Sequence, residues 1–94
     1  MTAVDDATAA PAHERAWIEA AIAGDGLAFR RLVEPHLGML HRIAWRACGN
    51  DALAEDAVQE ALTLAYERLR DYRHETSFRA FIAAVAAKRA HTLI

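Results

Sequence analysis

The sequence contains little cysteine and few aromatic residues, and it lacks long apolar runs. Its single cysteine, Cys48, excludes an internal disulfide framework. Aromatic residues make up only 7% of the chain and no segment alternates with period two, which argues against a β-sandwich. No apolar run approaches the roughly 18–20 residues that cross a bilayer, and the N-terminus lacks a basic start followed by an apolar stretch. We therefore expect a cytoplasmic protein without a membrane span.

What the sequence does contain favours closely packed helices. The hydrophobic fraction is 54%, and alanine supplies much of it.

The net charge of −2 is distributed unevenly along the chain. Residues 1–60 carry five arginines and ten acidic residues, whereas residues 61–94 carry six basic and three acidic residues. The two parts of the chain either face different partners or are both ordinary solvated surfaces.

The order of apolar residues predicts an all-α fold, a compact bundle of about four helices. Residues 1–12 are small, polar or acidic, and we expect a disordered tail there, followed by one helical domain over residues 13–94. The first helix covers residues 13–23 and stops at the sequence GDG. The second covers residues 29–48, with Pro35 as a kink and Gly49 as its C-cap.

The last two helices carry the clearest capping signals. Asn50 or Asp51 is expected to cap the third helix, whose buried stripe runs from Leu53 to Leu69. Thr76 or Ser77 is expected to cap the fourth. The opposite face of the third helix carries a row of acidic and polar side chains: Asp51, Glu55, Asp56, Gln59, Glu60 and Thr63.

Spacing argues against metal or catalytic chemistry. His36 and His41 lie five residues apart, on different faces of a helix, and Cys48 has no acidic neighbour that would complete a zinc site. No nucleophile, base and orienting group can be placed together. We expect no enzyme activity, no metal and no cofactor. A metal- or redox-responsive sensor that uses Cys48 and the histidines is the least supported alternative.

Two segments resemble region 2 of bacterial sigma factors, specifically the extracytoplasmic-function (ECF) group. The segment ALAEDAVQEALTLAYERL is similar to the family's run of Glu-Asp, an aliphatic residue, Gln-Glu and an apolar stretch. The segment SFRAFIAAVAAKRA is similar to the family's helix that opens with two aromatic residues and ends basic. This resemblance implies a domain that binds core RNA polymerase and recognises and helps melt the promoter minus-ten element.

The resemblance also assigns residues to polymerase binding. In the family, the acidic and amide face of the third helix docks on the clamp helices of the polymerase β′ subunit. Carried over to this chain, the docking residues are Asp56, Gln59 and Glu60, with Glu55, Thr63 and Asp51 around them. The alternative is a solvated face whose acidic residues stabilise the helix dipole.

A second set of residues is assigned to promoter DNA. In similar sigma factors the loop before the last helix holds a flipped base of the non-template strand. Flipping a base costs a few kcal/mol, so the site needs a pocket, stacking rings and cations. Phe78 and Phe81 are alternatively core residues, since both lie on the apolar stripe. The DNA-binding set is Arg70, Tyr72, Arg73, His74, Thr76, Ser77, Phe78, Arg79, Lys88 and Arg89.

The resemblance implies one further partner, an anti-sigma factor. The alternative function is therefore a helical protein-interaction module that binds an anti-sigma factor without binding DNA. Region 4, the second DNA-binding domain of these sigma factors, is expected to be absent from this chain. We expect the chain to be one domain of a longer protein; the alternative is a truncated natural product.

Overall fold

The computed structural model describes residues 13–72 and 76–93, and within these ranges every regular element is a helix. The prediction of an all-α fold is confirmed. The tail predicted for residues 1–12 lies outside the described residues. In chain order the elements are α1 (13–22), α2 (Gly26–Val33), a 3-10 turn (Glu34–His36), α3 (Leu37–Cys48), α4 (Asp51–Arg68), a second 3-10 turn (Leu69–Asp71) and α5 (Phe78–Leu93).

The chain divides into two compact units, one that ends at Glu34 and one that begins at Pro35. The first unit contains a tight turn between α1 and α2. The Gly24 N–H donates to the Ala21 carbonyl at 3.0 Å and the Asp25 N–H to the Ala20 carbonyl at 3.0 Å, the bond pattern of a Schellman motif. Gly24 has a φ of 109°, a conformation that favours glycine. The predicted stop at GDG is confirmed.

The start of α2 differs from the prediction. The helix begins at Gly26 and not at Phe29, because the Asp25 carboxylate accepts hydrogen bonds from the N–H groups of Leu27 and Ala28 at 3.0 and 3.2 Å. An aspartate cap of this kind satisfies two of the otherwise unpaired N–H groups of the first turn. Leu27 in that first turn is 58% exposed. The spacing of buried apolar residues therefore does not indicate that α2 begins at Gly26.

The second unit contains α3, α4 and α5, and its helix ends agree with the sequence signals. The long helix expected over residues 29–48 is interrupted by the 3-10 turn that contains Pro35, which lacks an N–H group. Gly49 ends α3 in the left-handed region with a φ of 66°. The Asn50 side chain caps α4 by accepting from the Leu53 N–H at 3.0 Å, and Ser77 Oγ accepts from the Ala80 N–H at 3.0 Å at the start of α5.

The buried stripe of α4 is narrower and smaller than predicted. Leu53, expected in the core, is 37% exposed, and the next residue, Ala54, is fully buried in its place. Alanine side chains are small, so α4 contributes little side-chain volume where it packs against α3 and α5. The residues that α4 buries are Ala54, Ala57, Val58, Ala61 and Ala65.

Two contacts give the direction of α5 relative to α3. At one end Arg79 lies beside His36, and at the other end Cys48 Sγ lies 3.9 Å from the Ala90 carbonyl oxygen. The two helices therefore run side by side in the same direction. Because only Gly49 and Asn50 separate α3 from α4, α4 returns antiparallel to both. The largest fully buried side chains of this unit are Leu40, Leu69, Phe78 and Ile82.

Candidate functional site

The outer face of α4 presents the polar row identified in the sequence. Glu55, Asp56, Gln59 and Thr63 are exposed, and they lie at the three- and four-residue spacings that place side chains on one helix face. Thr63 Oγ1 donates to the Gln59 carbonyl oxygen at 3.2 Å, so its hydroxyl is turned back onto the helix. Asp51 is exposed in the first turn, where a carboxylate interacts favourably with the helix dipole. The face is thus open to a basic partner.

Glu60 differs from the rest of this face because it has a partner within the chain. Its carboxylate accepts hydrogen bonds from Nε and Nη2 of Arg89 on α5. The two side chains are 43% and 36% exposed, and an ion pair with this exposure contributes no more than about 1 kcal/mol to stability. Two residues that the sequence assigned to different partners are therefore paired with each other, at the border between α4 and α5.

Four rings meet where α3 and α5 begin. The Tyr72 and Phe81 centroids are 5.0 Å apart, those of Tyr72 and Phe78 are 6.2 Å apart, and those of Phe78 and Phe81 are 6.0 Å apart. His36 lies 6.1 Å from Phe78. Phe78 is fully buried, whereas Tyr72 and Phe81 are half-buried. The structure therefore places Phe78 in the core, as support for the rings that reach the surface.

A side-chain hydrogen bond joins Tyr72 to a residue just before α5. The Tyr72 hydroxyl donates to the Thr76 carbonyl oxygen at 2.5 Å. Thr76 and Ser77 are both exposed, and Ser77 also caps α5. Two residues of the predicted DNA-binding set, Arg73 and His74, lie outside the described residues.

Arg79 lies at the aromatic cluster, beside His36, and further cations lie along the chain on either side of it. Arg70, Arg79 and Lys88 are exposed. A small groove between α4 and α5 brings Arg68 close to Lys88 and Arg89 over an apolar floor. The residues that line this groove are Leu64, Arg68, Val85, Lys88, Arg89 and Thr92. The side of α5 that faces the groove thus combines apolar surface with positive charge.

His36 is part of this site although sequence reasoning did not assign it there. Its Nδ1 lies 3.4 Å from Arg79 Nη1, and 42 residues separate it from Phe78 in the chain. Burial lowers the pKa of His36, and the positive charge of Arg79 lowers it further. The ring is therefore neutral at neutral pH and can accept a hydrogen bond from Arg79. No local sequence pattern indicates this contact.

The lowered pKa of His36 predicts a pH dependence of stability. In the unfolded chain the histidine takes up a proton as the pH falls below about 6.5, but in the folded chain it resists protonation. Stability is therefore unaffected above the unfolded pKa and falls as the pH drops from there toward the folded pKa. His36→Asn should reduce this acid-side loss in urea unfolding curves. His41→Asn, at an exposed histidine, should keep the wild-type pH dependence, and equal slopes for both variants would contradict the expectation.

No group of three His, Cys, Asp or Glu side chains is arranged to hold a metal ion in the described parts of the chain. Within residues 13–72 and 76–93, no helix is both long enough and apolar enough to span a bilayer.

The structure thus defines a helical module with an acidic face on α4 beside an aromatic, cationic end of α5. Residues 32–94, about two thirds of the chain, match the family model described as Sigma-70 region 2. The chain belongs to this family. Its members are transcription initiation factors and not enzymes, and region 2 acts in RNA polymerase binding and promoter recognition. Searches among curated proteins and among solved structures gave no significant match.

Proposed function

We propose that this chain is region 2 of an ECF sigma factor from a bacterium, acting in the cytoplasm. In this proposal residues 13–94 form the domain, α4 docks on the β′ clamp helices, and the start of α5 binds the minus-ten element. The observation that carries the proposal is that one three-helix unit presents an exposed acidic face and, separately, two half-buried rings at the start of α5, where Arg79 is exposed. Regulation by an anti-sigma factor rests on the resemblance alone.

Docking would use Asp56 and Gln59 first, with Glu55, Thr63 and Asp51 at the margin. A basic helix of the polymerase would meet their side chains in one plane, because they share a face of α4. Glu60 would take part only by exchanging Arg89 for a polymerase cation. Docking that recruits Glu60 would therefore release the guanidinium of Arg89 toward DNA phosphates.

DNA binding would begin at the Tyr72 and Phe81 rings. Both are partly accessible and lie 5.0 Å apart, so an unstacked base can pack against them while Phe78 supports them from the core. Arg70, Arg79 and Lys88 would bind phosphates. Thr76 and Ser77 would line the end of the turn, and Arg73 and His74 belong to the proposed set by sequence alone.

The DNA-binding half of the proposal is tested with single-stranded oligonucleotides. Phe81→Ala should weaken binding of a minus-ten-like oligonucleotide by about five- to a hundredfold, since stacking of a base on an aromatic ring contributes roughly 1–3 kcal/mol. Fluorescence anisotropy at several salt concentrations measures both the affinity and the salt dependence, which phosphate contacts make steep. Leu27→Ala truncates an exposed apolar residue of α2 and is the matched control.

The same titration separates the two candidate functions. If the titration showed neither a sequence preference nor a salt dependence, and if Phe81→Ala had no effect, the alternative would be favoured. The chain would then be a helical interaction module that binds an anti-sigma factor and does not engage DNA.

A further inference from the structure

The outward face of α3 is separate from the acidic face of α4 and from the aromatic, cationic end of α5. It contains Gly38, His41, Arg42, Trp45 and Arg46, all exposed, at the spacings of three, four, seven and eight residues that mark one side of a helix. Trp45 is 47% exposed, although tryptophan is on average a highly buried residue. The sequence of α3, LGMLHRIAWRAC, contains no acidic residue.

The two arginines of this face are not neutralised within the described parts of the chain. Neither Arg42 nor Arg46 forms an ion pair there, in contrast to Arg89. A methyl group added at Gly38 would meet Arg42 Nη1 at 3.5 Å, so the guanidinium of Arg42 extends back along the helix over Gly38. The face therefore combines an accessible indole ring with two guanidinium groups that form no ion pair with any described residue.

The face lies on the helix that begins beside the aromatic end of α5. It begins two residues after His36, which lies against Arg79 and Phe78. From His36 to Trp45 the helix rises by about 14 Å, since each residue adds 1.5 Å. Successive nucleotides of a strand are about 3.4 Å apart, so this distance along the helix axis alone corresponds to about four nucleotides.

We propose that the outward face of α3, formed by Gly38, His41, Arg42, Trp45 and Arg46, is a second nucleic-acid contact surface that extends the footprint of the minus-ten site. Arg42 and Arg46 bind phosphates, and a base stacks on Trp45. This inference rests on the proposed function, because the closeness of the start of α3 to the start of α5 is part of its support. It adds a surface that neither the acidic face of α4 nor the basic end of α5 provides.

Two observations favour nucleic acid over an acidic protein segment as the occupant. Carboxylates of a peptide would pair with the arginines but would leave the exposed indole without a specific role. A strand of DNA uses both, because its phosphates lie beside flat bases that stack on aromatic rings at low sequence specificity. The neighbouring rings and cations of Tyr72, Phe81 and Arg79 already supply the same combination.

Tryptophan fluorescence tests the proposal directly, because the chain has only two tryptophans. Trp17→Phe leaves Trp45 as the single reporter. We expect its emission to be quenched by a single-stranded minus-ten oligonucleotide extended by about six nucleotides at one end, and not by the unextended oligonucleotide. Extending the oligonucleotide at the 5′ end in one sample and at the 3′ end in another shows in which direction the strand runs.

Binding of the extended oligonucleotide provides the second measurement. Trp45→Ala should weaken it about fivefold or more while leaving the unextended oligonucleotide unchanged. Arg42→Gln with Arg46→Gln should lower the salt slope by about 1.4, since each phosphate contact on a single strand contributes about 0.7. Arg30→Gln with Arg31→Gln removes the same charge from exposed positions of α2 and is the matched control.

The outcomes separate this inference from the proposed function. Loss of binding in Phe81→Ala together with unchanged binding in Trp45→Ala would overturn the α3 surface and leave the minus-ten site standing. The reverse result would overturn the proposed minus-ten site. Quenching of Trp45 by a glutamate-rich peptide but not by DNA would show that an acidic protein occupies the face, and that result would also overturn the inference.

Discussion

Replacing Phe78 by alanine is expected to lower the free energy of unfolding by about 3–5 kcal/mol. The ring is fully buried and packs against three other rings, those of His36, Tyr72 and Phe81. Alanine would leave a cavity where the beginnings of α3 and α5 meet. A domain of this size has only about 5–15 kcal/mol of stability, so the variant should be close to unfolding at 37 °C. Urea unfolding followed by circular dichroism measures the change.

Phe81→Ala is the internal control for this result, because Phe81 is half-exposed and lies one turn further along α5. It should cost clearly less stability than Phe78→Ala while weakening DNA binding more than its stability loss explains. If the two variants lost equal stability, the core position of Phe78 and the surface position of Phe81 would both be wrong.

Reversing the charge of Asp56 is expected to have the largest effect on polymerase binding. Asp56→Arg places a cation in the centre of the exposed face of α4 and should weaken binding to a β′ clamp-helix fragment by roughly thirtyfold, about 2 kcal/mol. Titration of the labelled fragment measures the affinity. Glu19→Arg makes the same charge change at an exposed position of α1 and should bind like the wild type.

Glu60 is a less suitable position for this test. Its carboxylate is bound by Arg89, so any substitution there also changes the cation on α5. Asp56 and Gln59 have no such connection to α5 among the described contacts. Unchanged affinity in Asp56→Arg, with an intact circular dichroism spectrum, would remove α4 as the docking helix without affecting the DNA-binding half of the proposal.

The helix ends could be predicted because local residues determine them. Asn50, Ser77 and Gly49 were recognisable as caps, and Pro35 as an interruption, since each acts on backbone groups within a few residues. Asp25 acts in the same way, but it was missed because the apolar periodicity around it begins later. The apolar spacing of α4 predicts Leu53 as a core residue as readily as Ala54, but only Ala54 is buried. Periodicity fixes a helix face only to within about one residue.

The candidate site was only partly predictable, because several of its contacts join residues that are far apart in the chain. The polar row on α4 could be identified from spacing alone. The ion pair between Glu60 and Arg89 spans 29 residues, and the contact between His36 and Arg79 spans 43. Such contacts depend on how α3, α4 and α5 are arranged in space. For the same reason the sequence did not decide which phenylalanine of α5 is buried, since both lie on one apolar stripe.

The alanine-rich packing of α4 has a consequence for how the domain works. Ala54, Ala57, Ala61 and Ala65 have no rotatable side chain with which to absorb displacement, so α4 itself offers little freedom to change its spacing from the neighbouring helices. Insertion of a larger residue would have to push two backbones apart. The three helices of the second unit therefore form a rigid spacer. A partner bound to the outer surface of α4 is held at a fixed distance from a ligand bound at the start of α5.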